Sequence, residues 1–189
     1  MEPITDVLLM QQLSEGDDLA LNEIMSRWRD RIAVFLLRMV GNHATAMDLT
    51  QETFVRLYTS RHRYKPTAAF STYLFHIAAN LARSHIRWQG RHPTVPLEDD
   101  EGAAVMVIEP EDSQPSPDAA AELREKAALV QTAIAALTAD QREALLLFAV
   151  EDMSHADIAK TLGCSAKSVE VRIYRARQAL KEALSRQSG

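Results

Sequence analysis

Apolar residues recur along most of this chain at steps of three and four, the period that gathers them on one side of an α-helix. A short helix is predicted through Leu8, Leu9 and Leu13, capped by Thr5 or Asp6 and ended by Gly16. A longer one restarts at Asp17 or Asp18. It keeps the period through Leu21, Ile24, Met25, Trp28, Ile32, Phe35, Leu36 and Met39 until Gly41, and reads as core scaffolding. Across 46–64, Ala46, Leu49, Phe54 and Leu57 share one side, while Asp48, Gln51 and Glu52 fall three and four apart on another. Such an acidic, amide-bearing stripe either stays solvated or docks on a basic helical partner, and the pattern fits both. From Phe70 to Trp88, Leu74, Ile77, Ala78, Leu81 and Ile86 turn inward, and Thr72, His76, Asn80, Arg83 and Arg87 turn outward. Ala119 restarts a helix through Leu123, Ala127, Val130, Ile134 and Leu137. Thr138 with Gln141 then forms a capping-box pattern before the apolar run 144–150.

The stretch 153–180 predicts two helices joined by a tight turn. Ser154 caps the first, whose apolar stripe is Ile158, Ala159 and Leu162, and Gly163 can take the left-handed conformation that stops it. Ser165 caps the second, and Val169, Ile173, Ala176 and Leu180 turn inward at steps of four, three and four. Its outward side then carries Lys167, Ser168, Val171, Tyr174 and Arg175, with Glu170 at the edge. Cations for phosphates, hydroxyls and a carboxylate for base edges, and an apolar group for a thymine methyl suit a helix laid in a major groove. An ordinary helical hairpin with a solvated basic face shares the outline. The caps, the turn glycine, the small Ala159 and the basic second helix agree better with a helix-turn-helix.

Charge sharpens that division. The 189 residues carry a net charge of −5, unexpected for a DNA binder, but eight acids and no Lys or Arg lie between Pro93 and Asp118. The remainder has 21 bases against 18 acids, a net of +3, and from Ile158 onward seven bases face two acids. The segment 93–118 also holds five of the seven prolines and no strong helical period, which predicts an acidic flexible linker. Its apolar run 105–108 is long enough to dock on a domain or partner. The composition suits one or two small helical domains.

Between the predicted helices, Arg61, His62, Arg63, Lys65 and Pro66 make a basic, turn-like stretch, and Phe70, Tyr73 and Trp88 interleave with Asn80 and the arginines that follow. Unstacked bases need a π surface and their phosphates need countercharge, so this pattern suits a single-stranded nucleic acid, although an aromatic on such a helix is more often core.

Other chemistry is not indicated. The single cysteine, Cys164, excludes an internal disulfide and a Cys-rich zinc site, and reads as a small buried filler in the turn. None of the six histidines lies in a metal-ligand pattern, and no Gly-rich phosphate loop or GxSxG appears, so no catalytic residue, metal, cofactor or small-molecule substrate is expected. The polar, acidic start predicts no signal peptide, the apolar stretch 32–37 is far short of a membrane span, and no sensory domain is expected after Gly189. A reducing, cytoplasmic setting is expected.

In order along the chain, AMDLTQETFVRLY (46–58), FSTYLFHIAANLARSHIR (70–87), LTADQREALLLF (137–148) and DIAKTLGCSAKSVEVRIYRARQAL (157–180) resemble the segments of bacterial sigma factors of the extracytoplasmic-function (ECF) type. The resemblance implies an all-α chain of two small helical domains, a region 2 bundle at 1–92 and a region 4 helix-turn-helix at 119–189, joined by the acidic linker at 93–118. It implies a subunit that joins core RNA polymerase, directs it to promoters and helps open the DNA. Asp48, Gln51 and Glu52 would bind the β′ clamp helices, and the second domain would sit at the β flap. Arg63, Lys65, Phe70, Ser71, Thr72, Asn80, Arg83 and Arg87 would capture the melted minus-ten strand. Ser165, Lys167, Ser168, Glu170, Val171, Arg172 and Arg175 would read the minus-thirty-five duplex. An anti-sigma protein, often membrane-held, is the implied regulator. Glu170 and Val171 depart from the basic and small polar residues common in relatives, so the preferred minus-thirty-five sequence is not transferable.

Two rival classes remain at this level. A repressor or activator would share the helix-turn-helix but bind tightly without polymerase. An enzyme would turn over a nucleotide or nucleic acid by itself.

Overall fold

The computed structural model describes residues 5–92 and 127–186. The first half comprises α1 (Asp6–Ser14), α2 (Leu19–Val40), α3 (His43–Ser60), a 3-10 turn (Arg61–Arg63) and α4 (Phe70–Arg91). The second comprises helical residues 127–135 (α5), α6 (Ala139–Ala149), α7 (His155–Leu162) and α8 (Ala166–Ser185). The expected helix start at Ala119, with Leu123, the linker at 93–118 and its apolar run at 105–108 lie outside the described residues. Among the described residues no helix is long and apolar enough to cross a membrane.

Local chemistry sets the helix boundaries. Thr5 accepts the Leu8 N–H at the start of α1, Ser154 that of Asp157 at α7, and Ser165 that of Ser168 at α8. Thr138 and Gln141 form the full reciprocal capping box at α6. Helix α3 begins at His43, ahead of the expected Ala46, because the Asn42 side chain accepts the Thr45 N–H at 2.8 Å. It ends at Ser60, and the basic stretch after it tightens into the 3-10 turn rather than continuing to Tyr64. At α7, Gly163 takes φ 65°, ψ 38°, and its N–H reaches back to the Ala159 carbonyl.

Helix α2 is the spine of the first half, packed by α1, α3 and α4. Its Ile24, Ile32, Leu36 and Met39 are fully buried, and Trp28 sets its ring edge-on to Phe70 and Phe75, at 5.7 and 6.3 Å. In the second half α8 lies on α6 and α7, with Val169, Ile173 and Ala176 inward as the spacing predicts. Cys164 is half-buried against the core, close to the filler role expected of it.

The two halves pack on each other. Helix α4 lies on α7 and α2 meets α6, so one apolar core runs from Leu9 to Ile173. This corrects the face expected to point outward from α4. Thr72 is 5% exposed and His76, Asn80 and Arg83 are half-buried, because α7 and α6 lie over them, whereas Arg87 stays exposed.

Candidate nucleic-acid interface

The exposed side of α8 forms one candidate surface. Lys167, Glu170, Val171, Tyr174 and Arg175 are open to solvent, and Ser168 and Arg172 are half-buried at its margin. Lys167, Ser168, Val171, Arg172 and Arg175 join Ser165 and the start of α6 around an open cleft of about 500 Å³. Two ion pairs organise it. Arg172 meets Asp140 of α6 at 2.9 Å, which ties α8 to the helix behind it. Lys167 meets Glu170 at 2.9 Å, and this bond holds the Glu170 carboxyl below its usual range. The Glu170 carboxylate thus sits on the face as a hydrogen-bond acceptor and offsets part of the positive field of Lys167.

The second surface combines the loop before α4 with one side of that helix. An aromatic series fixes the loop: Tyr64 lies 5.0 Å from Tyr73 and 6.3 Å from Phe70, which in turn rests on Trp28. Tyr73 and Ser60 share a 2.7 Å hydroxyl contact, and burial pushes the Tyr64 hydroxyl pKa up. Arg63 and Lys65 remain exposed, and α4 begins at Phe70 behind an Ala69 N-cap that supplies no side-chain hydrogen bond. Tyr64, Lys65, Thr67, Thr72, Tyr73 and His76 line an open cleft of about 390 Å³, joined by Lys160 from α7. Phe70 is 4% exposed, so it supports the loop rather than offering a stacking face, and Ser71 is half-buried in the first turn.

Deeper along α4 the polar side chains form a relay. The Thr161 carbonyl of α7 can only accept, so His76 Nδ1 donates to it at 2.6 Å and His76 Nε2 accepts from Asn80 Nδ2 at 2.9 Å. The Asn80 oxygen accepts from Arg83, which also reaches Glu143 of α6 at 3.3 Å. Glu143 is fully buried, and its second oxygen has no hydrogen-bond partner among the described residues. Burial pushes its carboxyl from the usual 4.5 up to about 7, against the pull of the nearby Arg83.

On α3, Asp48 and Gln51 are exposed, and Glu52 pairs with Arg56 at 2.8 Å. Val55, 54% exposed, extends the same stripe by one turn. Its three- and four-residue spacing from Glu52 and Gln51 places it on that stripe although it carries no charge. The place of Lys160 beside the α4 loop has no local signal, because it depends on how α7 docks.

The sequence matches known proteins along nearly the whole chain. Residues 24–92 match the family described as Sigma-70 region 2, and residues 127–180 match Sigma-70, region 4. The chain is 33% identical over 186 residues to the RNA polymerase sigma-H factor of Pseudomonas aeruginosa, covering 95% of this chain and 93% of that one. It is 31% identical to the ECF RNA polymerase sigma-E factor of Haemophilus influenzae, with 95% of each covered. Among solved structures, CnrH in complex with the cytosolic domain of CnrY superposes with a TM-score of 0.70 at 26% identity, covering 95% of this chain and 97% of that one. The sigma factor RpoE in complex with the anti-sigma factor NepR from Bartonella quintana shares the fold at a TM-score of 0.67 and 23% identity, covering 87% of this chain and 96% of that one. The chain belongs to the ECF family of RNA polymerase sigma factors.

Proposed function

We propose that this chain initiates transcription by dividing promoter recognition between its two halves while α3 docks on core RNA polymerase. In this reading 1–92 and 119–189 are the two domains and 93–118 spans the distance between their DNA elements. Asp48, Gln51 and Glu52, extended by Val55, meet the β′ clamp helices, where an acidic stripe with one apolar position suits a basic helical partner. Arg63, Lys65, Ser71, Thr72, Asn80, Arg83 and Arg87 hold the melted minus-ten strand, with Phe70 supporting the loop from behind. Ser165, Lys167, Ser168, Glu170, Val171, Arg172 and Arg175 read the minus-thirty-five duplex.

The observation that carries this division is the pairing of two unlike polar surfaces in one chain. The α8 face is cationic and open to solvent, which suits a duplex groove. The α4 face joins a basic loop to an amide that has both a donor and an acceptor, which suits a base taken out of its stack. Nucleotide polymerisation itself belongs to the core enzyme, and the chain works beside it in the cytoplasm. An anti-sigma partner completes the reading, in keeping with the similar folds solved with CnrY and NepR, and membrane association would then be indirect.

Footprinting tests the division. The chain alone is expected to protect promoter DNA weakly, and with core polymerase to protect both elements and render the minus-ten region reactive to permanganate. Asn80→Ala should abolish the reactivity and keep minus-thirty-five protection, whereas Lys167→Ala should weaken that protection first. Tight, polymerase-independent protection would favour the repressor reading.

A further inference from the structure

Of the phenylalanine, tyrosine and tryptophan rings on α4, Phe70 and Phe75 are buried and Tyr73 is half-buried beside Tyr64, which leaves Trp88 open to solvent at 49% exposure. An exposed aromatic standing by itself needs no explanation. This one is set in a row. His92, one turn further on, stacks on it at 5.1 Å with the planes 23° apart. His92 Nδ1 donates to the Trp88 carbonyl at 3.1 Å, which holds the pair together. His85, one turn back, stands off at 6.2 Å and tilts by 36°. The charge around the row has one sign: from Phe70 to His92 the chain carries Arg83, Arg87 and Arg91 and no Asp or Glu. Arg87 and Arg91 are exposed, and their bonds are to neutral groups, the Ser84 hydroxyl at 3.5 Å and the Arg87 carbonyl at 3.3 Å. At about 100° per residue these two arginines fall within about 20° of Asn80, and Trp88 lies about 80° round from it and about 12 Å further along the axis.

We propose that Trp88, backed by His92, is a stacking platform for an additional unpaired base of the promoter strand, with Arg87 and Arg91 on the phosphates between that base and the one at Asn80. The proposal rests on the assignment of α4 to the melted strand. Every base has a π face, so an indole ring holds one without reading its sequence, and an acid-free stripe supplies the countercharge for the phosphates. The separation of about 12 Å corresponds to roughly three to four nucleotide steps of about 3.4 Å. The chain leaves α4 at this end toward the half proposed to read the minus-thirty-five duplex, so the platform faces the upstream side of the minus-ten element. A base stacked there sets how far the opening extends without adding a sequence requirement. Because His92 already holds the ring, little side-chain freedom is lost when the base arrives.

Holoenzyme assembled from the full-length chain and core polymerase tests this on a promoter mapped by run-off transcription. The fluorescent adenine analogue aminopurine, placed singly at successive upstream positions of the non-template strand, dims when it stacks on a ring. Trp88 lies outside the core, so its variants are expected to fold. Trp88→Ala should brighten the analogue about three to four positions upstream of the base held by Asn80, and should shorten the lifetime of the open complex about tenfold, the loss of one base–aromatic stack. Trp88→Phe should keep both close to wild type. Unchanged fluorescence and lifetime in Trp88→Ala would overturn the platform. Recovery by Trp88→Arg would overturn it too, since the position would then serve phosphates by charge alone. In the free chain, acrylamide should readily quench the emission that Trp88→Phe removes, and shielded emission would show the ring covered by another part of the chain. Asn80→Ala separates the platform from the reading beneath it. If that variant leaves every analogue position unchanged, α4 does not hold the strand and both fall; if the Asn80 position responds and Trp88→Ala changes nothing, the platform alone falls.

Discussion

At the scale of single residues, Glu143 is a fully buried carboxyl outside the surfaces proposed to bind DNA. Arg83 from α4 and Arg172 from α8 favour its ionised form, Asp140 on its own helix opposes it, and burial outweighs them all to place its carboxyl near 7. A folded-state value above the unfolded 4.5 means that the folded form binds the proton more tightly. The stability this group contributes is therefore fully present below about 4.5 and is lost as pH rises through about 7, a span of at most about 3 kcal/mol. Urea denaturation from pH 5 to pH 8 should show wild type losing stability relative to Glu143→Gln, and parallel curves for the two proteins would contradict the assignment. Glu170 makes a different kind of prediction, because it is exposed and paired with Lys167 on the α8 face proposed to read the duplex. Glu170→Lys removes an acceptor suited to cytosine N4 and should change the minus-thirty-five preference in a promoter-library selection. Lys167→Ala should weaken binding across sequences and lower the salt slope by about one. Identical library preferences for wild type and Glu170→Lys would refute the first half of that pair.

The turn between α7 and α8 depends on the left-handed Gly163, around which a Cβ would meet nothing within 4 Å. Gly163→Ala therefore carries only the backbone cost, about 1–2 kcal/mol, and should lower the melting temperature by about 2–4 °C for each kcal/mol. An unchanged melting curve would show that the turn does not need that conformation. This turn, the caps at Thr138, Ser154 and Ser165, and the inward stripe of α8 were legible in the sequence because each depends on residues within a few positions of one another. The face of α4 was legible in period but not in exposure. Its Thr72 and His76 meet partners 89 and 85 residues away, and no local pattern announces such a docking. Phe70 shows the same limit: an aromatic on such a helix is more often core, but beside basic residues it also fits a stacking platform, and its burial against Trp28 decides for core.

For the molecule as a whole, the acidic total conceals a division of labour. The acids concentrate in the segment between the two halves, and the surfaces at the loop before α4 and along α8 present cations. The order of the four resembling segments identified the family from the sequence, whereas the contact of one half with the other could not be read there. Arg31 lies 120 positions from Glu151 and Arg142 lies 103 from Met39, so only folding brings them together. The most direct test of the central claim is run-off transcription on a library of promoter fragments, with core polymerase from the same organism, with and without this chain, across a salt series. Start sites that appear only in its presence, sharing an element near minus ten and another near minus thirty-five, are the predicted result. No new start sites, together with salt-sensitive duplex binding by the chain alone, would contradict it.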